Sequence, residues 1–354
     1  MKILVSLISE QSIPNILVIK SLPNVSRYLF LCSKRMKDSG RLTDLCDVCA
    51  IQDYDEICIA EHDFADVKSG LQHAVDSYPK DAAYIVNITG GTKIMALAVY
   101  DLMSHLRAQI LYLPPLADAA ILIYPSALKG FLPITHRLDA ISFLKAYGIV
   151  CVHEECPDLP YTESLFSFIA GIGDPMLHQW INQIGSKSED NSLRKKYLPP
   201  IRNLLGKALD WLPDEAERKY LKGAWFEAYL AYWLQKLLPQ CRVYQNLAIN
   251  RAGSDNELDL VFCHKNSLYV LEVKTAVPKT QDLKDFLYKL DSLGKKFGLY
   301  PRRCLAIADI ISEYKLRRSP YVLKRAEEMG ITVFSHTELR PENIMNTLTT
   351  WINV

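Results

Sequence analysis

The sequence predicts an α/β protein with two sheet-bearing units separated by helices. Three observations carry that expectation. Over residues 1–125, short continuous apolar runs alternate with helical stretches. From 137 to 205 the signal reads as helical only. From 206 onward strands return, two of them around a tight polar turn. Short apolar strands spaced by helices imply a parallel sheet buried on both faces, because the crossovers cover it.

Each element follows in order. "KILVSLI", "RYLFLCS", "EICIA", "AAYIVNI", "AQILYL" and "AILIYP" read as strands of one parallel sheet. "IPNILVIKSL" and "TKIMALAVYDLMSHL" read as helices, with two further helical stretches between. "LDAISFLKAYGIV" and "MLHQWINQIG" are helical, "SKSEDNS" at 186–192 is polar, and Pro199–Pro200 is expected to break any helix. The helix "KGAWFEAYLAYWLQKLL" then precedes "NELDLVFCHKNSLYVLEVKT", which reads as two strands around "HKNS". The helix "QDLKDFLYKLDSLGKK", the strand "RCLAIAD", a helix near 315–329 interrupted by Pro320, the strand "ITVFS" and a last helix complete the chain.

Composition excludes more than it assigns. The 41 Lys and Arg nearly cancel the 40 Asp and Glu, so net charge gives no argument for a nucleic-acid partner. No apolar run approaches the length of a membrane span. "MKILVSLISE" reads as a first strand and not as a signal peptide. Nine scattered cysteines fit reduced thiols and a cytoplasmic setting. Cys46 and Cys49 form one CxxC with no second pair, which favours helix-surface or core thiols over zinc. The eight histidines form no ligand-like cluster.

Two loops carry the first candidate site. Thr89-Gly90-Gly91-Thr92-Lys93 lies between an apolar strand and a helix. Ligands of open parallel sheets sit outside such carboxyl ends. Glycines let backbone N–H groups converge on an anion, and the helix start adds positive charge. Thr92 suits an N-cap and Lys93 a phosphate contact. The stretch matches neither GxxxxGK[ST] nor GxGxxG, which argues against ATP hydrolysis and a dinucleotide cofactor. A tight turn with no ligand remains the plain alternative. The loop after the first strand supplies Ser9, Gln11 and Ser12, which suit either a nucleotide or simple helix capping before Pro14.

"SLISEQSIPN" followed by "YIVNITGGTKIMALAVY" resembles the CRISPR-associated Rossmann-fold (CARF) domain over residues 1–136. The resemblance implies a Rossmann-like parallel-sheet domain that forms a homodimer. It also implies that Ser9, Gln11, Ser12, Thr89, Gly90, Gly91, Thr92 and Lys93 bind a cyclic oligoadenylate across the dimer axis.

The second candidate site lies on "NELDLVF" and "YVLEVKT". Strand periodicity puts Glu272 and Lys274 on one face, and Asp259 lies within reach across the hairpin. A carboxylate and an ammonium in so apolar a strand are costly unless paired or metal-bound. Glu227 adds an acid on a helix face otherwise formed by Gly223, Ala224, Leu230 and Ala231. An exposed ion pair on an edge strand is the competing reading. Lys284, Lys289, Lys295, Lys296, Arg302 and Arg303, with Tyr288, suit either a nucleic-acid backbone or a solvated face.

Asp259, Glu272, Lys274 and Glu227 resemble the PD-(D/E)xK restriction-endonuclease superfamily, although Leu258 stands where that family usually has Pro. The resemblance implies a restriction-endonuclease-like α/β/α domain and phosphodiester hydrolysis with Mg²⁺ or Mn²⁺. Asp259, Glu272 and the Val273 carbonyl would be ligands, and Lys274 would position water. With a CARF domain at 1–136, a helical connector at 137–205 and the nuclease domain at 206–354, the whole resembles cyclic-oligoadenylate-activated CARF nucleases of type III CRISPR immunity. The expectation is therefore a homodimeric, metal-dependent nuclease for DNA or RNA, switched on by cyclic tetra-adenylate. A non-catalytic sensor regulating transcription, a Rossmann oxidoreductase and an activator-degrading first domain are the rivals.

Overall fold

The computed structural model describes residues 1–126, 130–152, 163–171, 173–184, 186–205, 214–251, 253–277, 279–299 and 301–353. Parts of the expected connector, 153–162 among them, lie outside the described residues. The chain forms two compact units, one mainly of residues 1–151 and one mainly of 152–354.

The first unit is built on seven strands, β1 (Lys2–Leu7), β2 (Arg27–Ser33), β3 (Asp55–Ile59), β4 (Ala83–Asn87), β5 (Gln109–Tyr112), β6 (Ala119–Tyr124) and β7 (Phe131–Pro133). Their spatial order is β3-β2-β1-β4-β5-β6-β7. β1 to β5 pair in parallel, as their apolar runs imply. β6 departs from the expected parallel sheet, pairing antiparallel with β5, and β7 is antiparallel to β6. The reason is length. Only residues 113–118 join β5 to β6, and a parallel crossover needs about a dozen or more.

The strand order locates the loops. From β1 the chain builds outward to β2 and β3, then returns to place β4 on the other side of β1. The β1/β4 boundary is thus the topological switch point, where adjacent loops diverge and open a crevice. The loops after β1 and β4 both leave from it. Ile3, Val5, Leu7, Val86 and Ile110 pack beneath them against Val67, Leu71, Met95 and Val99 of the flanking helices.

The second sheet contains β8 (Val150–Val152), β9 (Tyr244–Arg251), β10 (Ser254–His264), β11 (Ser267–Lys274), β12 (Arg302–Ile307) and β13 (Ile331–Phe334). Its order is β13-β12-β11-β10-β9-β8. β9 and β10 are antiparallel, whereas β11, β12 and β13 run parallel. The turn between β10 and β11 is Lys265–Asn266, both at positive φ, as a tight two-residue hairpin requires. The helix Trp225–Leu237 follows a π-helical turn at Tyr220–Ala224. Its aromatic face stacks Tyr229 on Phe166 at 4.7 Å.

The helix Asn191–Leu205 runs through Pro199–Pro200, contrary to the expected break. Two backbone donors are lost, but Leu193, Tyr197, Leu198, Ile201 and Leu205 bury one face in the unit's core and offset the loss. Pro320 does divide two helices, Ile310–Arg317 and Pro320–Glu328.

A Cβ on Gly90 would lie 2.2 Å from the Leu7 carbonyl oxygen, so the loop after β4 is seated directly on the end of β1. Gly90→Ala is therefore expected to cost about 1–3 kcal/mol, read as a lower urea midpoint. An unchanged midpoint would show that this contact does not fix the loop.

Candidate functional site

The two loops of the first unit are held by a buried polar chain. Asn15 Nδ2 donates to the Leu7 carbonyl at 2.8 Å, and Asn87 Nδ2 donates to Asn15 Oδ1 at 2.7 Å. Thr89 Oγ1 donates to Asn87 Oδ1 at 2.6 Å and accepts from Leu113 N at 2.8 Å. Asn15 and Asn87 are buried, so each needs these partners. Thr92 is the expected N-cap: its Oγ1 accepts from Met95 N at 3.2 Å and donates to the Glu61 carbonyl at 2.7 Å. Gly91 adopts φ 74, which a side chain would resist. Ser9 Oγ donates to the Gln11 carbonyl at 3.3 Å, and Gln11 Oε1 accepts from the Tyr147 hydroxyl at 3.0 Å. Ser12 is buried at the N-cap position of the helix Ile13–Ser21, with no side-chain cap bond. Lys93 is exposed at the mouth of its helix and forms no ion pair among the described residues. The structure thus brings the two loops together and leaves the Lys93 charge available.

The second unit gathers Asp259, Glu272 and Lys274. The acids are only 9% and 3% exposed, which excludes a solvated edge-strand pair. The Lys274 ammonium lies 3.2 Å from Asp259 Oδ2, 2.9 Å from Glu272 Oε1 and 2.9 Å from the Val273 carbonyl. Asp259 Oδ2 also accepts from Val273 N at 2.6 Å. Lys274 sits 5.2 Å from the centroid of the Phe286 ring, which walls the other side. Lys289 from the helix Thr280–Gly294 donates to both Glu272 oxygens, at 2.9 and 3.1 Å. Glu227 Oε2 accepts from Asn246 Nδ2 at 2.9 Å.

Burial dominates the electrostatics. It pushes Asp259 above the usual carboxylate range, with Lys274 pulling the other way and Glu272 adding repulsion. Burial disfavours the Lys274 charge as well, yet Asp259 and Glu272 more than offset this and hold its pKa above the ordinary value. Burial pushes Glu227 up to about 7 despite the Asn246 hydrogen bond, and Asp259 contributes. Among the described residues no three His, Cys, Asp or Glu side chains form a metal cluster. The donor set here is two carboxylates and a main-chain carbonyl. Three oxygens already converge on one cation, the lysine's own, and hard oxygen donors are what Mg²⁺ or Mn²⁺ takes. The set fits such an ion.

A family model described as "Card1 CARF domain" matches residues 3–138, and one described as "Card1-like, endonuclease domain" matches residues 214–354. The chain belongs to the CARF nucleases. Solved structures share the fold. "Can2 from Sulfobacillus thermosulfidooxidans in complex with cyclic tetra-adenylate (cA4)" superposes with a TM-score of 0.78 at 21% identity, covering 100% of both chains. "Protein VC1899 from Vibrio cholerae" gives 0.77 at 18% identity, covering 99% of this chain and 98% of that one. No curated protein matches the chain.

In this CARF nuclease both loops fall within the first matched segment and all four acid-site residues within the second. Other expectations are redistributed. Lys289 faces Glu272 and not only solvent. Lys295 pairs with Asp291 at 2.7 Å, as does Arg303 at 2.8 Å. Lys284 lies over the Tyr321 ring at 4.9 Å, and Tyr288 is half exposed beside Arg325. Cys46 and Cys49 are buried free thiols pushed up to about 12 by burial, as core residues are. Among the described residues no helix is long and apolar enough to cross a membrane. Asn15 and Asn246 escape the sequence reading, since nothing local marks them, and Lys289 reads there as a backbone-binding or solvated lysine and not as a partner of Glu272.

Glu227 keeps its proton in the folded chain between its ordinary 4.5 and about 7, while the unfolded chain releases it. Stability from this group therefore falls as pH rises through that window. Glu227→Gln removes the titration. In chelator-treated protein it is expected to raise the melting temperature over wild type near about pH 8 and to change it little near about pH 5. Equal differences at both would contradict the assignment.

Proposed function

We propose that this CARF nuclease is a homodimeric, metal-dependent endonuclease activated by cyclic tetra-adenylate in type III CRISPR defence, acting in the cytoplasm. The observation that carries the chemistry is the convergence of Asp259, Glu272 and the Val273 carbonyl on one cation. Asp259, Glu272 and Val273 would hold Mn²⁺ or Mg²⁺, and Lys274 would turn its donors to the attacking water and the phosphate. A bound divalent ion supplies Lewis acidity at the scissile phosphate and lowers the pKa of water. Lys274 then offsets charge developing on the phosphoryl oxygens. Glu227 completes the acidic wall. These assignments correspond to the PD-(D/E)xK pattern.

The sensing assignment rests on the switch-point loops. Ser9, Gln11, Ser12, Thr89, Gly90, Gly91, Thr92 and Lys93 would contact the activator, with Lys93 on a phosphate. The Can2 structure, bound to cyclic tetra-adenylate and similar over the full chain, supports this reading. A cyclic, symmetric ligand suits a two-fold axis, to which each protomer gives one half. In this reading 1–136 senses, 206–354 cuts and 137–205 connects. Activation requires tighter activator binding to the active than to the inactive dimer.

The test is cleavage of supercoiled plasmid, single-stranded RNA and single-stranded DNA with Mn²⁺ or Mg²⁺, with and without cyclic tetra-adenylate. Activator-dependent cleavage is expected, falling to background in Glu272→Ala. Lys93→Ala is expected to raise the activator concentration for half-activation about tenfold, the weight of one charge-assisted contact. Tight activator binding without cleavage of any substrate would favour the non-catalytic sensor.

A further inference from the structure

Asn246 is a strand residue with a backbone that strands do not use. Its φ is 50, in the left-handed region. The other non-glycine residues at positive φ among the described residues, such as Ala50 and Lys265, lie in turns and loops. Asn246 lies inside β9, flanked in the ladder by Leu247↔Leu258 and Gln245↔Leu260. That register sets it opposite Asp259. Left-handed backbone in a non-glycine residue costs free energy and persists only where the surroundings impose it. Here Leu247 and Tyr244 are buried on either side and pin the strand, while the Asn246 amide reaches the helix Trp225–Leu237 to donate to Glu227 Oε2 at 2.9 Å.

From this geometry we infer that Asn246 is a positioning residue, which fixes the Glu227 carboxyl beside Asp259 and Lys274 and so tunes both cation binding and turnover. The inference rests on the nuclease reading above. Glu227 stands on the helix Trp225–Leu237, and its carboxyl group takes a hydrogen bond from the Asn246 amide on the facing strand. Asparagine suits the place because it tolerates the left-handed region and carries an uncharged donor. A lysine there would add a further ammonium charge to the site, and an apolar residue would leave Oε2 without its bond. Partners that orient a site carboxylate in this way are commonly worth about 10–100-fold in metal affinity or activity.

The test is a cycle of Asn246→Gly, Glu227→Gln and the double variant in the full-length protein. Glycine accepts φ 50 without strain, so Asn246→Gly is expected to fold, with a melting temperature lowered only modestly by the lost hydrogen bond and the freer unfolded chain. Its kcat on a labelled oligonucleotide is expected to fall about 10–100-fold with KM unchanged, and Mn²⁺ affinity measured by calorimetry to weaken over a similar range. In the Glu227→Gln background, Asn246→Gly is expected to cause no further loss, because its effect passes through Glu227. Unchanged kcat and Mn²⁺ affinity in Asn246→Gly, or independent losses that multiply in the double variant, would overturn the inference. If wild type shows no Glu272-dependent cleavage, the nuclease reading itself fails. The cycle is then decided by Mn²⁺ affinity alone: coupled losses uphold the positioning role, and independent or absent losses reject it.

Discussion

The second unit is organised around a buried charge problem. Asp259 and Glu272 are carried into the interior among the buried Leu258, Leu260, Leu271 and Val273, and both carboxylates are largely withdrawn from solvent. Burying an unpaired carboxylate costs several kcal/mol or more, so a cation must be held among them. Lys274 answers that need from the same strand, and Lys289 answers it from the next helix. The same oxygens that require a lysine are the ones a divalent ion would take. An arrangement that is costly to the fold without cations is thereby a ready site for one.

The first unit solves a different problem with neutral groups. Two loops must leave adjacent strands in opposite directions and still keep a fixed relation. Asn15 and Asn87 tie both to the end of β1 through bonds that no solvent competes for. The threonine hydroxyls of the loop are largely spent on that scaffold. What remains for a ligand is the Lys93 charge, the backbone and the space that two glycines leave. This is the division expected of a recognition loop: polar side chains fix its shape, and main chain with one cation meets the anion.

Much of this was legible in the sequence. Continuous apolar runs announced the parallel strands, and acids in an apolar strand announced the charge cluster, because both are local patterns. The antiparallel β6 was hidden because an apolar run reads the same in either direction, and only the short link after β5 fixes it. Helix continuation through Pro199–Pro200 depends on burial of a face, which dipeptide chemistry does not reveal. Strand order, and with it the switch point at β1/β4, is a tertiary fact. Lys289 looked like one of several surface lysines, since its partner Glu272 lies 17 residues away on another element. Asn246 carried no signal, for its conformation is exceptional only when its strand is seen.

Asp259, Glu272 and the Val273 carbonyl surround the Lys274 ammonium, which in the proposed mechanism stands where a metal ion would bind. Anomalous diffraction from crystals grown with Mn²⁺ tests this placement most directly. A manganese peak bounded by those three oxygens is expected, with the Lys274 ammonium displaced from their centre. A peak elsewhere, or no peak with Lys274 still held between the three oxygens, would contradict it.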